Sequence, residues 1–412
     1  MSVFARSGNP ASRICRAEQK VLDYIVRERY ILFFFIISIL GFLIRYCCRA
    51  FQTMDMSCFL VPWYEEIKAN GGIHSLSKQV GDYNILYQTI IALSTYLPIN
   101  CIIIYKSLSC IFDYILAVAA VKMVHTGKPD SNRFFLLFVY TVILFLPNIF
   151  LNSALWGQCD SIYVSICLLS LLALYSEKYV VSFTLLGLAF AFKLQSIFIL
   201  PFYICVYFSR RSFSVSYFFI AVAVFWITGL AGFLSGRSLL DPFRIYIFQS
   251  GEYDEQFLNF HSFWFLLGNK YYPLKMPAIL LTVTLCGLGL LTILSEKKKI
   301  QSFEGFINTA CWFVWTLVLF LPAMHERYSY MLDILLVILS FLNIRYIGFA
   351  LISNILTLIT YGHYLFADDR ISGFPGMLGS ALYFISWVFF TVFIVKKEQI
   401  VVPNHTSAVL GD

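Results

Sequence analysis

The stretch ILFFFIISILGFLI, residues 31–44, decides the fold class. With its flanks it gives an apolar run over 30–48, the length an α-helix needs to cross about 30 Å of hydrocarbon. A basic segment precedes it, and no small-residue cleavage site follows its short apolar core. It therefore reads as a retained signal anchor. Similar runs recur along the 412 residues, of which 59% are hydrophobic and 13% charged. A soluble domain carries about twice that share of charge. The chain is expected to be an all-α polytopic membrane protein, since helices satisfy their own backbone groups within lipid.

Twelve transmembrane helices are expected, over 30–48, 104–124, 134–151, 161–175, 180–192, 196–208, 214–233, 276–294, 305–322, 328–342, 346–365 and 377–395. Placing the N-terminus in the cytoplasm puts more than half of the 30 basic residues into seven short inner segments, among them Arg6, Arg13, Arg210, Arg211, Lys297 to Lys299 and Lys396. That is the positive-inside pattern. The net charge of +7 thus belongs to loops that orient helices, and no nucleic-acid partner is expected. The organisation is a cytoplasmic segment over 1–29, a core over 30–345 with outer loops 49–103 and 234–275, C-terminal helices over 346–396, and a cytoplasmic tail over 397–412, frayed from 400.

Within the first outer loop, 58–69 fits an interfacial helix, with Phe59, Leu60, Trp63 and Ile67 apolar. Residues 85–97 are too short to span and are expected to lie on, or dip into, the outer leaflet. The second outer loop reads as a folded cap over a cavity. Most of the eleven cysteines lie in apolar helices as small hydrophobes. Cys58 stands in an outer loop, with Cys47 and Cys48 at a helix end, and no disulfide framework or zinc spacing emerges.

Four polar signatures interrupt the apolar runs, all on the expected outer face: Met54-Asp55-Met56, Gly81-Asp82-Tyr83-Asn84, Trp156-Gly157-Gln158-Cys159-Asp160 and Met324-His325-Glu326-Arg327-Tyr328. An ionised group at mid-helix costs about 2.5 to 3.5 kcal/mol on insertion scales, so such groups usually face a cavity and act on something. Asp55 has two readings, a general base or a cap for the following helix. Asp82 has the same two. His325 and Arg327 suit a phosphate, or Arg327 snorkels and pairs with Glu326. Lys193, between two short helices beside Gln195, needs an anionic partner. Trp156 offers an indole face and Gln158 an amide to a sugar, unless Trp156 is an interfacial anchor. Lys106 and Asp113 share a helix face and read as structural.

No GxxxxGK[ST] loop, GxSxG elbow or HExxH helix is present, which excludes a P-loop ATPase. No cytosolic domain can bind a nucleotide sugar, so a group donor would be lipid-borne.

Together these motifs, with Asn152 to Ser161 and Phe192-Lys193-Leu194-Gln195, resemble the GT-C superfamily of polytopic glycosyltransferases. The chain is most similar to bacterial proteins related to the GPI-anchor mannosyltransferase that adds the second mannose, over roughly residues 30–345. The resemblance implies metal-independent, inverting transfer from a polyprenyl-phosphate sugar to a glycan or lipid-linked acceptor, with no cofactor. It implies Asp55 as catalytic base, Asp82 as a second acid, and His325, Arg327 and Lys193 at the donor phosphate. Tyr83, Trp156, Gln158, Asp160, Gln195 and Glu326 would hold sugar or acceptor. Where related eukaryotic glucosyltransferases have Pro-Pro after their Asp-Tyr, this chain has Asn84-Ile85. The expected setting is a bacterial cytoplasmic membrane, both termini cytoplasmic, with membrane lipids around a site open outward. The alternatives are a flippase for polyprenyl-linked glycans, against which the lack of an evident inverted repeat speaks, and a polysaccharide polymerase, for which the outer arginines Arg237, Arg244 and Arg370 are too scattered.

Overall fold

The computed structural model describes residues 16–366 and 373–396. Arg6, Arg13, Arg370 and the tail from 397 lie outside the described residues. The chain forms α1 (Arg16–Cys47), α2 (Val61–Ala69), α3 (Ile85–Ser94), α4 (Cys101–Gly127), α5 (Arg133–Leu144) and α6 (Pro147–Phe150). Then come α7 (Asp160–Tyr175), α8 (Tyr179–Phe192), α9 (Leu200–Arg210), α10 (Ser216–Ile227), α11 (Leu230–Leu234) and α12 (Asp241–Gln249). The last are α13 (Tyr271–Ser295), α14 (Phe303–Phe320), α15 (Tyr330–Leu342), α16 (Ile347–Phe366) and α17 (Gly373–Lys396). Two two-residue strands, β1 (Phe257–Leu258) and β2 (Met324–His325), pair in parallel.

Every expected transmembrane segment falls on helix. Six of these helices are long and apolar enough to cross a membrane, or seven if the bent run from α5 to Trp156 is one span. That run bends by 45° where Pro147, which lacks an N–H, follows Leu146. The helices at α7, α8, α9, α10 and α15 are shorter than a full crossing. α7, α14 and α15 are buried almost throughout and form the centre; the apolar window of α14 is 83% buried, that of α1 only 11%. An apolar helix whose surface is mostly open suits contact with lipid chains, whereas α14 has protein around it.

The first long loop is built into the protein. The π-helical turn Met56–Leu60 and α2 bury Met56, Leu60, Tyr64 and Ile67. α3 starts where the Asn84 side chain accepts from Ile85 N at 2.8 Å. Rather than lying freely on a surface, α3 buries Ile85, Tyr87, Gln88, Ile91 and Ala92 against neighbours that include α2, α8 and α11. The second loop folds as α12, β1 and a short 3₁₀ turn at Phe263–Leu266. The described cysteines are all free.

Charges within the core are held by ion pairs or by neutral polar groups, as low polarity demands. The Arg45 Nε donates to Asp113 Oδ2 at 2.8 Å, and Arg45 Nη2 to the Leu144 carbonyl at 2.9 Å. Ser153 Oγ donates to the same Asp113 oxygen. Lys106 has other partners, the carbonyls of Cys48 at 2.9 Å and Phe51 at 2.5 Å. Lys106 and Asp113 therefore do not act as a pair: one tethers the chain leaving α1, the other locks α1 to α4 and to the turn before Trp156.

Arg45→Met is expected to destabilise the fold by about 3–5 kcal/mol, because it leaves the Asp113 carboxylate unpaired inside. The double variant Arg45→Met, Asp113→Leu should recover much of that loss. Thermal unfolding in detergent measures both, and a double variant no more stable than the single one would refute the account.

Candidate active site

Asp55 stands between a short 3₁₀ turn after α1 and the π turn at Met56–Leu60. It makes no capping bond to that turn. Thr53 does so instead, its Oγ1 accepting from Met56 N at 3.2 Å and donating to the Trp156 carbonyl at 3.4 Å. The Asp55 carboxylate is held from across the fold. Its Oδ2 accepts from Trp156 Nε1 at 2.8 Å and from Gln158 Nε2 at 3.2 Å.

A second π turn, Leu151–Trp156, presents these two donors, and Gly157 closes it at φ 82°. Such one-turn insertions recur at functional sites. A β-carbon at Gly157 would strike Met56, and the left-handed backbone is itself unfavourable for other residues. Gly81, at φ 67°, is constrained in the same way by the Trp63 ring. Both glycines thus let a polar signature pack against the π turn and helix that follow Asp55.

Trp156 is not open to a sugar. Its ring is fully buried, edge-on to Tyr361 at 5.2 Å, stacked near Tyr364 at 5.4 Å, with the Arg327 guanidinium 5.6 Å from its centre. Its contribution is the indole N–H that orients Asp55. Asp160 is also buried: it pairs with Lys193 through Oδ1 and accepts from Asn152 Nδ2 at 2.8 Å through Oδ2. Neither Trp156 nor Asp160 reaches the cavity, contrary to their expected sugar contacts. Lys193, in extended backbone after α8, has its anionic partner within the protein.

Asp82 is not a cap either, since Asn84 fills that role. Burial pushes the Asp82 carboxyl above its ordinary value. Beside it, Tyr83 OH donates to Gln158 Oε1 at 3.4 Å.

The fourth signature is placed by β2 on β1, with Ala323 at φ 56° donating its N–H to the Gln256 carbonyl at 2.9 Å. Arg327 does not snorkel. Its Nη1 donates to Glu326 Oε1 at 2.8 Å and lies 3.7 Å from Asp55 Oδ2. Burial pushes the Glu326 carboxyl up, but Arg327 and His325 outweigh it and hold it below the usual value. The His325 ring sits between Tyr253 and Tyr328, with centroids 4.4 and 4.9 Å away. Its Nδ1 is 3.7 Å from Glu326 Oε2.

One cavity of about 480 Å³ gathers Asp55, Asp82, Tyr83, Gln158, Lys193, Gln195, His325, Glu326 and Arg327 in its walls. Four buried polar atoms of this set have no hydrogen-bond partner: His325 Nε2, Arg327 Nε, Glu326 Oε2 and Gln195 Oε1. Polar atoms in a cavity wall without a protein partner are candidates to meet a ligand. Two of them are nitrogens suited to an anion, and two are oxygens suited to hydroxyl groups. The arrangement offers a held carboxylate with a cation beside it, both on the cavity wall. Among the described residues, no group of three His, Cys, Asp or Glu side chains could hold a metal ion.

Other wall residues carried no sequence signal: Tyr253 and Glu252 from the second loop, and Tyr364 from α16. Tyr361 and Tyr364 also show that residues beyond 345 support the site.

Two outcomes test this geometry. Gly157→Ala should cost about 1–3 kcal/mol through its strained backbone and its clash with Met56, seen as a lower unfolding temperature. For Asp82, the raised folded-state pKa contributes stability at low pH that is lost as pH rises through it. Asp82→Asn should therefore unfold at a higher temperature than the parent near neutral pH and lose this advantage as pH falls towards the ordinary value of 3.8. Parallel melting curves against pH check the sign.

No protein-family model matches this chain, and no curated protein matches it either.

Proposed function

We propose that this protein is a GT-C-type glycosyltransferase, moving a hexose from polyprenyl phosphate to an extracytoplasmic glycan or lipid-linked acceptor with inversion. Mannose is the sugar the resemblance favours. The setting we propose is a bacterial cytoplasmic membrane crossed twelve times, with both termini inside and the cavity facing out. Short and broken helices around a polar-lined cavity suit such a crossing, because protein or water can satisfy their backbone.

One observation carries the reading. Asp55 and the Arg327 guanidinium, 3.7 Å apart, share the wall of a cavity whose His325 Nε2 and Arg327 Nε are unmatched. A transfer of this kind needs a base and fixed cationic or N–H groups within one sugar's width. In the proposed step, the acceptor oxygen forms a bond to the anomeric carbon while the bond from that carbon to the phosphate oxygen breaks. The breaking bond's electron pair leaves with polyprenyl phosphate, and the acceptor proton passes to Asp55. A single displacement inverts the centre. Trp156 and Gln158 hold the carboxylate in place as general base. Arg327 and His325 face the charge growing on the leaving phosphate, with no reorganisation needed at the moment of reaction. Lys193, already paired with Asp160, adds a cationic edge further along the wall.

The test is direct. Reconstituted protein is incubated with polyprenyl-phosphate hexoses and candidate acceptors, and released polyprenyl phosphate is measured. Release is expected with at least one hexose, and Asp55→Asn should slow it by about 10²–10⁴-fold. Trp156→Phe, which keeps the ring but removes the donor, should slow transfer by roughly tenfold or more. No release with any hexose, or undiminished transfer by Asp55→Asn, would overturn the proposal.

A further inference from the structure

A second cavity, of about 660 Å³, lies beside the first and shares Asp82, Gln249 and Glu252 with it. Its other walls include Gln79, Arg237, Asp241, Arg244, Ile245 and Phe248. The two cavities are thus neighbours across a polar partition.

The charges around this space are unequal in availability. Arg237 is buried and fully engaged: its guanidinium donates to the Leu76 and Lys78 carbonyls, to Gln79 Oε1 at 2.7 Å and to Gln88 Oε1 at 2.7 Å. Arg244 Nη1 lies 3.4 Å from Asp241 Oδ1. Asp82 and Glu252 make no ion pair among the described residues. Burial pushes both carboxyls up, and Asp82 pushes Glu252 further. A carboxyl offers two oxygens to a hydroxyl partner. Gln249 has a buried Oε1 without a hydrogen-bond partner on this same partition. At the rim, Phe248 leaves 77% of its surface open, next to the apolar Ile245.

A phosphate or diphosphate entering here would meet the Asp82 and Glu252 carboxyls, while Arg237 is engaged by carbonyls and amides and Arg244 stands beside Asp241, an arrangement that disfavours anions. A neutral saccharide meets complementary chemistry: an aromatic face for its C–H groups, and acids and amides for its hydroxyls. Building on the glycosyltransferase reading, the geometry points to this second cavity as the acceptor subsite, taking a neutral oligosaccharide whose terminal hydroxyl passes Asp82 and Glu252 to reach Asp55. The acceptor's sugar end, not a phosphorylated end, is what the protein recognises.

The experiment uses the full chain in lipid nanodiscs. Neutral trisaccharides of mannose, glucose and N-acetylglucosamine are titrated in, with hexose 1-phosphate and spermidine as competitors, and binding is read by saturation-transfer NMR. At least one neutral trisaccharide should bind without displacement by either competitor. Phe248→Ala and Asp241→Lys should each weaken it about tenfold, the scale of one lost aromatic or polar contact. Photo-crosslinking of a polyprenyl-phosphate hexose should be unchanged in both variants. Absence of trisaccharide binding, its displacement by hexose 1-phosphate or spermidine, or full affinity in Phe248→Ala would overturn the inference. Donor turnover without any saccharide bound here would sink this inference alone. Saccharide bound here with no donor ever turned over would instead sink the transferase reading, and the acceptor role with it.

Discussion

A carboxylate gripped by an indole N–H and an amide, facing a guanidinium, is the contact on which the candidate site is built. Asp55 lies 101 residues before Trp156, so only a fixed fold brings them to 2.8 Å. Two π turns supply the shape. One begins directly after the acid, and the other turns Trp156 and Gln158 towards it. Gly157 and Gly81 remove the side chains that would separate these pieces.

Behind that contact lies a chain of buried polar pairs. Arg45 with Asp113, and Lys193 with Asp160, are each compensated at their own site. Ser153 and Asn152, adjacent on the second π turn, touch Asp113 and Asp160 respectively. The turn that presents Trp156 is therefore pinned from two sides before it meets Asp55. Buried ion pairs are weak evidence for stability, because desolvation offsets much of their attraction. Their value here is positional: each charge can be satisfied in only one packing of the helices.

At the cavity wall, His325, Arg327, Glu326 and Gln195 keep side-chain atoms without a hydrogen-bond partner in the protein. Groups fixed before a ligand arrives need little rearrangement once it binds, which is the basis of electrostatic preorganisation. The second loop completes the wall through Tyr253 and Glu252, and β1 anchors it by pairing with the strand that carries His325.

The sequence by itself determined the all-helical, membrane-suited composition and the position of nearly every helix, because apolar length and polar interruption are local properties. It also marked the four signatures, since charge beside an apolar run stands out. Partner choice was beyond its reach. Trp156 looked like a sugar platform and is a buried donor; Asp160 looked like a sugar contact and is the counter-ion of Lys193; Asp113 pairs with Arg45, and Lys106 meets the carbonyls of Cys48 and Phe51. The caps at Thr53 and Asn84 freed Asp55 and Asp82 from the local roles their positions allowed. Tyr253 and Tyr364 follow no motif at all. Which residues meet across a hundred positions depends on how helices pack and where a buried charge finds its counterpart, and only the tertiary structure settles that.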